Sequence, residues 1–219
     1  TGHLVLSTLH TNDSASSVRR LARRIVIAET HVPEHRRFEG KSLDTIAKEE
    51  NRDPLEILFD VLARENFEAS GFSFSQNPEI VKQVLSQSYV SVGSDNVADF
   101  ARKPHPRVFG TFPRFLEWTR EGNPAGLGEA VARMTSLPAK VLGLEERGRL
   151  AEGAFADVVI FDLAKIASPA TYEEPARYAE GMEYVIVNGK LAVERGEVLP
   201  TLPGQVLRSR KKGSPATRA

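Results

Sequence analysis

The segment Tyr89-Val90-Ser91-Val92-Gly93-Ser94-Asp95-Asn96 decides how the rest of the chain is read. Five residues suited to a buried strand stop abruptly at three turn formers, the pattern of a strand that ends in a loop. Working back toward the N-terminus, Asn77-Pro78 opens a helix that runs through Leu85, and Phe72 and Phe74 alternate as in a strand. Before them, Asp53 can cap a helix whose first position is Pro54 and whose apolar stripe is Leu55, Leu58, Phe59 and Leu62. Residues 42–50 form another capped helix with Leu43, Ile46 and Ala47 on one face, and residues 25–28 form a strand. Residues 4–9 are β-prone, and Thr11-Asn12-Asp13-Ser14 offers a helix cap. Strand and helix signals alternating at this spacing predict an α/β chain of βα units around a parallel sheet or barrel.

Downstream of the decisive segment, a loop over residues 103–110 leads to amphipathic helices at 113–120 and 127–134 and a helical turn at 138–142. Beyond Arg147 the texture changes to short strands, at residues 157–161 and 184–187. The second runs into Asn188-Gly189 and residues 190–194, a strong signal for a type I′ hairpin. The chain therefore divides near Gly148 into an α/β portion and a small β portion, with a basic tail at 208–219 that reads as disordered.

Composition bounds the function. Of 219 residues, 41% are hydrophobic and 26% charged, as in ordinary globular domains. Twenty-nine basic and 29 acidic side chains leave no net charge, which argues against a nucleic-acid partner. The absence of cysteine excludes disulfides, thiolate metal sites and cysteine nucleophiles within the chain. No apolar run approaches the length of about 18 residues that a membrane span needs. No secretory leader is evident, so the expected location is the cytoplasm. Arginines 19, 20, 23, 24, 36 and 37 read as a solvated face balanced by nearby acids.

Two places could carry chemistry. Asp95 follows an apolar strand, where an α/β barrel opens onto its active-site face. A carboxylate there can ligate a metal or move a proton to and from water. Gly93-Ser94-Asp95-Asn96 equally suits a plain turn, and spacing alone leaves both open. In His105-Pro106-Arg107, the planar guanidinium of Arg107 suits a bidentate grip on a substrate carboxylate, and a surface ion pair is its ordinary alternative. The other histidines, at 3, 10, 31 and 35, show no compact ligand spacing; Pro33 argues against a helix that would align His31 with His35. There is no phosphate-binding loop, dinucleotide fingerprint or serine nucleophile elbow.

Several segments together resemble the D-aminoacylases, the N-acyl-D-amino-acid deacylases of the amidohydrolase superfamily. They are Val92-Gly93-Ser94-Asp95, His105-Pro106-Arg107-Val108-Phe109-Gly110-Thr111-Phe112-Pro113-Arg114, Met134-Thr135-Ser136-Leu137-Pro138-Ala139 and Gly143-Leu144-Glu145-Glu146-Arg147-Gly148. Gly153-Ala154-Phe155-Ala156-Asp157-Val158-Val159-Ile160-Phe161-Asp162, Ala170-Thr171-Tyr172 and Val185-Ile186-Val187-Asn188-Gly189 continue the match. The resemblance spans about residues 24–208. It implies the C-terminal portion of a zinc-dependent (β/α)8 barrel over residues 24–147, followed by part of a small β-sandwich over residues 148–207. It also implies hydrolysis of the amide of a small N-acyl-D-amino acid. In that family Asp95 would be the catalytic acid-base and a metal ligand, and Arg107 would hold the substrate's α-carboxylate.

Asn96 stands where the family usually has glycine, and Asn tolerates the left-handed backbone such a loop needs. The family's histidine and cysteine metal ligands lie on earlier barrel strands. One carboxylate cannot hold zinc, so the chain by itself is expected to be inactive. A partial barrel also leaves strand edges open to oligomerisation. Residues 1–14, Thr-Gly-His-Leu-Val-Leu-Ser-Thr-Leu-His-Thr-Asn-Asp-Ser, resemble the histidine-containing segment of the type II secretion and type IV pilus ATPases, which makes 1–23 look foreign to the rest. Alternatives are another amidohydrolase, hydantoinase-like or isoaspartyl-dipeptidase-like, or a non-catalytic fusion remnant.

Overall fold

A computed structural model describes residues 19–96, 104–124 and 126–207. The strand expected at residues 4–9, the cap at 11–14 and the basic tail lie outside the described residues. The chain forms two compact units. The first takes its described residues from 19–78, 96, 104–108 and 171–176, and the second from 79–95, 109–170 and 177–207.

In the first unit, a short 3-10 turn at Ala22–Arg24 leads into β1 (Ile25–Glu29), and a second at Pro33–Phe38 follows it. Helices α1 (Leu43–Glu50) and α2 (Pro54–Arg64) precede β2 (Ser70–Ser73). Both caps form as the sequence implies. The Ser42 hydroxyl accepts the Thr45 N–H at 3.1 Å, and Asp53 accepts the Leu55 N–H at 2.8 Å with Pro54 in the first turn. The core gathers Ile27, Leu43, Ile46, Leu58 and Val61, all buried. The stripe on α2 is rotated from the expected one. Ile57, Leu58, Val61 and Leu62 face inward, Leu55 sits at the margin, and Phe59 remains 59% exposed. Two overlapping i, i+4 pairs compete on this helix, and the branched pair Ile57 and Val61 wins the core. The basic residues Arg19, Arg23 and Arg37 lie at the surface in ion pairs with Asp53, Asp44 and Glu50.

The strands correct the expected parallel arrangement. β1 pairs antiparallel with β2, through Ile25 with Ser73, Val26 with Phe72 and Ile27 with Gly71. Two helices between two strands return the chain in the opposite direction, whereas one crossover helix would give a parallel pair. All strand pairs among the described residues are antiparallel, and no closed barrel is present among them.

The second unit contains most of α3 (Pro78–Leu85) and of α4 (Arg107–Glu121), with α5 (Gly126–Met134) and α6 (Ser136–Leu142). Helix α4 begins earlier than expected and carries Pro113 inside it rather than at its start. A four-stranded sheet follows in the order β3 (Val158–Phe161), β4 (Met182–Val187), β5 (Lys190–Glu194) and β6 (Glu197–Val198). Between β4 and β5, Val187 pairs with Lys190, and Asn188 and Gly189 take φ of 49° and 78°. Those are the two positive angles of the type I′ turn.

The decisive segment itself is not a strand. Residues 90–96 have no regular structure, and Tyr89 is 76% exposed while Val92 is 8% exposed. A strand needs a neighbour for its backbone groups, and here the Val92 N–H instead reaches the Arg133 carbonyl at 3.0 Å. No helix among the described residues is long and apolar enough to cross a membrane.

Candidate active site

Asp95 lies in the second unit, three residues beyond buried Val92, and is exposed. Its backbone is left-handed at φ 48°, a conformation Asp tolerates better than most residues. Arg107 lies in the first unit, half-buried, as the first residue of α4. Its place is set locally. The Arg107 N–H donates to His105 Nδ1 at 3.0 Å, and the Val108 N–H donates to the His105 carbonyl at 3.0 Å. His105 therefore caps the start of the helix, and as an acceptor at Nδ1 it carries its ring proton on Nε2.

Aromatic rings hold that histidine. Phe72 and Tyr172 meet it edge-on, with centroids 5.5 and 5.3 Å away. Tyr172 also contacts Phe72 at 5.0 Å and Phe74 at 4.7 Å. Sequence reading placed Phe72 and Phe74 on one strand face and Tyr172 in a separate motif. The first unit brings Phe72 and Tyr172 against His105 and Phe74 against Tyr172, an arrangement that no spacing along the chain announced. Beside this cluster, Arg107 sits at the positive end of a helix dipole, where an anion is favoured.

The remaining motifs prove structural. Arg147 bonds Asp157 and reaches Asn188 Oδ1 at 2.6 Å, with its guanidinium 4.0 Å over the Phe155 ring. The Asn188 N–H donates to Asp157 at 2.8 Å, and its amide nitrogen to the Pro203 carbonyl at 2.7 Å. Three separate motifs thus meet in one network that ties the hairpin down. On α4, Gly110 lies so close to the 168–170 segment that a Cβ there would stand 2.5 Å from Ser168 Oγ. Arg120 donates to the Ile166 carbonyl at 2.7 Å on the same segment.

Among the described residues, no three His, Asp or Glu side chains come together as a metal site. Among the described residues, His35 and Glu65 form a fully buried polar pair, 2.7 Å apart. Glu65 also accepts the N–H groups of His31 at 2.7 Å and Val32 at 3.1 Å. Burial raises its pKa, but these donors outweigh that and hold it below the ordinary carboxylate value. Two side chains do not make a zinc site, which needs about three protein ligands. The described residues therefore do not fit a metal ion.

Residues 13–193 match the amidohydrolase family. The chain belongs to that family. The chain is 41% identical over 147 residues to N-acyl-D-glutamate deacylase from Alcaligenes xylosoxydans xylosoxydans, covering 67% of this amidohydrolase and 30% of that relative. A D-aminoacylase structure reported for its binuclear metal centre superimposes with a TM-score of 0.73 and 32% identity, covering 83% of this chain and 37% of that one. The N-acyl-D-glutamate deacylase of Bordetella bronchiseptica, in complex with zinc and a phosphonate mimic of the tetrahedral intermediate, gives 0.70 and 35%, covering 80% and 36%. This amidohydrolase thus has an α/β fold matching those structures, and spans about 30% of the length of the curated relatives it matches.

Proposed function

We propose that this amidohydrolase is the C-terminal part of an N-acyl-D-amino-acid deacylase, a hydrolase of carbon–nitrogen amide bonds. Residues 24–147 belong to its barrel portion and 148–207 to a β-sandwich portion; because the family match reaches back to residue 13, a separate origin resembling a secretion ATPase segment applies only to residues before it and not to the whole of 1–23. The observation that carries the reading is Arg107, set by the His105 cap and its aromatic surround at a helix N-terminus. A guanidinium borne by a residue whose backbone is set in this way suits the α-carboxylate of a small N-acyl amino acid, gripped through two parallel N–H donors. Asp95 takes a proton from the attacking water and returns it to the leaving nitrogen, so that water and amide become carboxylate and amine.

In the relatives' family zinc supplies an activated water and a polarised carbonyl. Since the described residues do not fit a metal, Asp95 can ligate one only alongside donors from outside them. With no cysteine in the chain to serve as the family's thiolate ligand, the 219 residues alone should release no D-amino acid, and zinc-dependent release by the purified chain would overturn that.

The test of the reading is a hybrid in which residues 24–207 replace the matching third of a D-aminoacylase. It should hydrolyse N-acetyl-D-amino acids and not their L enantiomers. Arg107→Lys should raise KM about tenfold, the equivalent of about 1.4 kcal/mol, with little change in kcat. Asp95→Asn should instead lower kcat by two orders of magnitude or more, on the order of a lost acid-base group. A folded, zinc-loaded hybrid that turns over no N-acyl-D-amino acid rejects the proposal.

A further inference from the structure

Arg133 stands near the end of α5 and is 1% exposed. Its Nε–H donates to the Val90 carbonyl at 2.8 Å, and its own carbonyl accepts the Val92 N–H at 3.0 Å. In a parallel ladder, a residue opposite Ser91 would use its backbone N–H for the carbonyl of residue 90 and its carbonyl for the N–H of residue 92. Arg133 occupies that role, with Nε in place of the backbone N–H. One residue thus supplies what a neighbouring strand would supply to the segment that leads to Asp95.

The arrangement is costly for stability alone. Both terminal guanidinium nitrogens are buried without a hydrogen-bond partner, and what faces the cation is the Phe115 ring, 5.2 Å from the guanidinium carbon. An apolar side chain of similar size would fill the space without burying a charge. What it could not do is hold Val90 and Val92 at once. The Val90 N–H turns back to the Gln87 carbonyl at 3.1 Å, so the stretch is anchored at 87 and 133 before it enters the left-handed turn at Asp95.

We propose that Arg133 is the positioning residue for Asp95, acting through the backbone of Val90 and Val92. The proposal rests on the reading of Asp95 as the proton-transfer group. Its first test needs only the whole chain. Amide exchange at Val92 and the chemical shifts of Ser94 and Asp95 are followed in the unaltered protein, in Arg133→Met and Arg133→Lys, and in Glu129→Gly. The last weakens the same helix at a position outside the cluster of Val92, Phe115 and Ala130.

Arg133→Met should lower Val92 protection at least tenfold beyond any global loss and shift the Ser94 and Asp95 signals, and Lys should restore part of both. Equal loss in Glu129→Gly at matched stability overturns the clamp. The Nε–H resonance of Arg133 in the unaltered protein provides a check that requires no variant. It should exchange slowly, and exchange as fast as that of exposed arginines also overturns the clamp. In the hybrid, Arg133→Lys should lower kcat about tenfold at constant KM, and a change in KM alone counts against a role through Asp95. An inactive hybrid rejects the reading of Asp95 and the positioning role with it, while exchange at Val92 still decides the clamp.

Discussion

The two units are held together by different physics. In the first, the interior is apolar and continuous, from Ile25 and Ile27 on β1 through Leu43 and Ile46 on α1 to Leu58 and Val61 on α2. Within it, Glu65 accepts two backbone N–H groups and pairs with His35 at once, while His35 Nε2 and Ser70 Oγ stay buried without a partner. In the second, the buried apolar cluster is Val92, Phe115 and Ala130, and Val159 and Ile160 on β3 remain about half exposed. There, arginines do the joining: Arg120 to the 163–166 segment, Arg133 to residues 90 and 92, and Arg147 to Asp157 and Asn188. A unit with a dense apolar core depends on volume. A unit held by guanidinium contacts depends on hydrogen-bond geometry.

That contrast can be broken by mutation. Leu58→Ala should cost the first unit about 3 kcal/mol, as a cavity in a closed core. Ile160→Ala in the second should cost under about 1 kcal/mol, because half its side chain is already in water. Urea unfolding of both variants measures this, and equal losses would abolish the distinction.

Next in size is Glu65→Gln, expected to cost about 2 kcal/mol by weakening charge-assisted bonds to buried donors. The pH dependence has a definite sign. The folded pKa of Glu65 lies below its unfolded value, so its stabilisation is complete above the unfolded carboxylate range and is lost as pH falls through the folded value. The midpoint of urea unfolding should therefore drop on acidification, and the Gln variant should show a shallower acid limb. Parallel acid limbs would remove Glu65 from the account.

Arg147→Met should cost the second unit about 1.5 kcal/mol through the lost bonds to Asp157 and Asn188. Amide exchange at Asn188 and Gly189 should speed up while α4 is unaffected, and uniform acceleration would contradict a local role. Smaller than that of Arg147→Met is the effect of Gly110→Ala. Helix propensity favours Ala by about 1 kcal/mol, but the new Cβ meets Ser168 Oγ, so a net loss of about 1 kcal/mol is expected. A gain in melting temperature would show that the 168–170 segment yields easily.

Much of the fold was legible one element at a time. Ser42 and Asp53 cap their helices because short oxygen-bearing side chains reach the first free N–H groups. Asn188-Gly189 makes its turn because both residues tolerate positive φ. These are local rules, and they hold wherever the chain goes next. The helix start at Arg107 was missed because its cap is a histidine ring nitrogen, and Pro113 looked like the natural first residue.

The candidate site was legible as residue types and not as an arrangement. Asp95, His105 and Arg107 stood out by type and motif. The contacts of Phe72 and Tyr172 with His105, and of Phe74 with Tyr172, join positions about a hundred residues apart, which no local pattern encodes. The strand expected at Tyr89–Gly93 needed a neighbouring strand that local composition cannot guarantee. By itself the sequence determined the caps, the hairpin turn and the apolar faces, since each depends on a few adjacent residues. The tertiary structure decided the strand directions, the burial of Arg133 and which motifs meet, because backbone pairing and charge desolvation depend on what arrives from far along the chain.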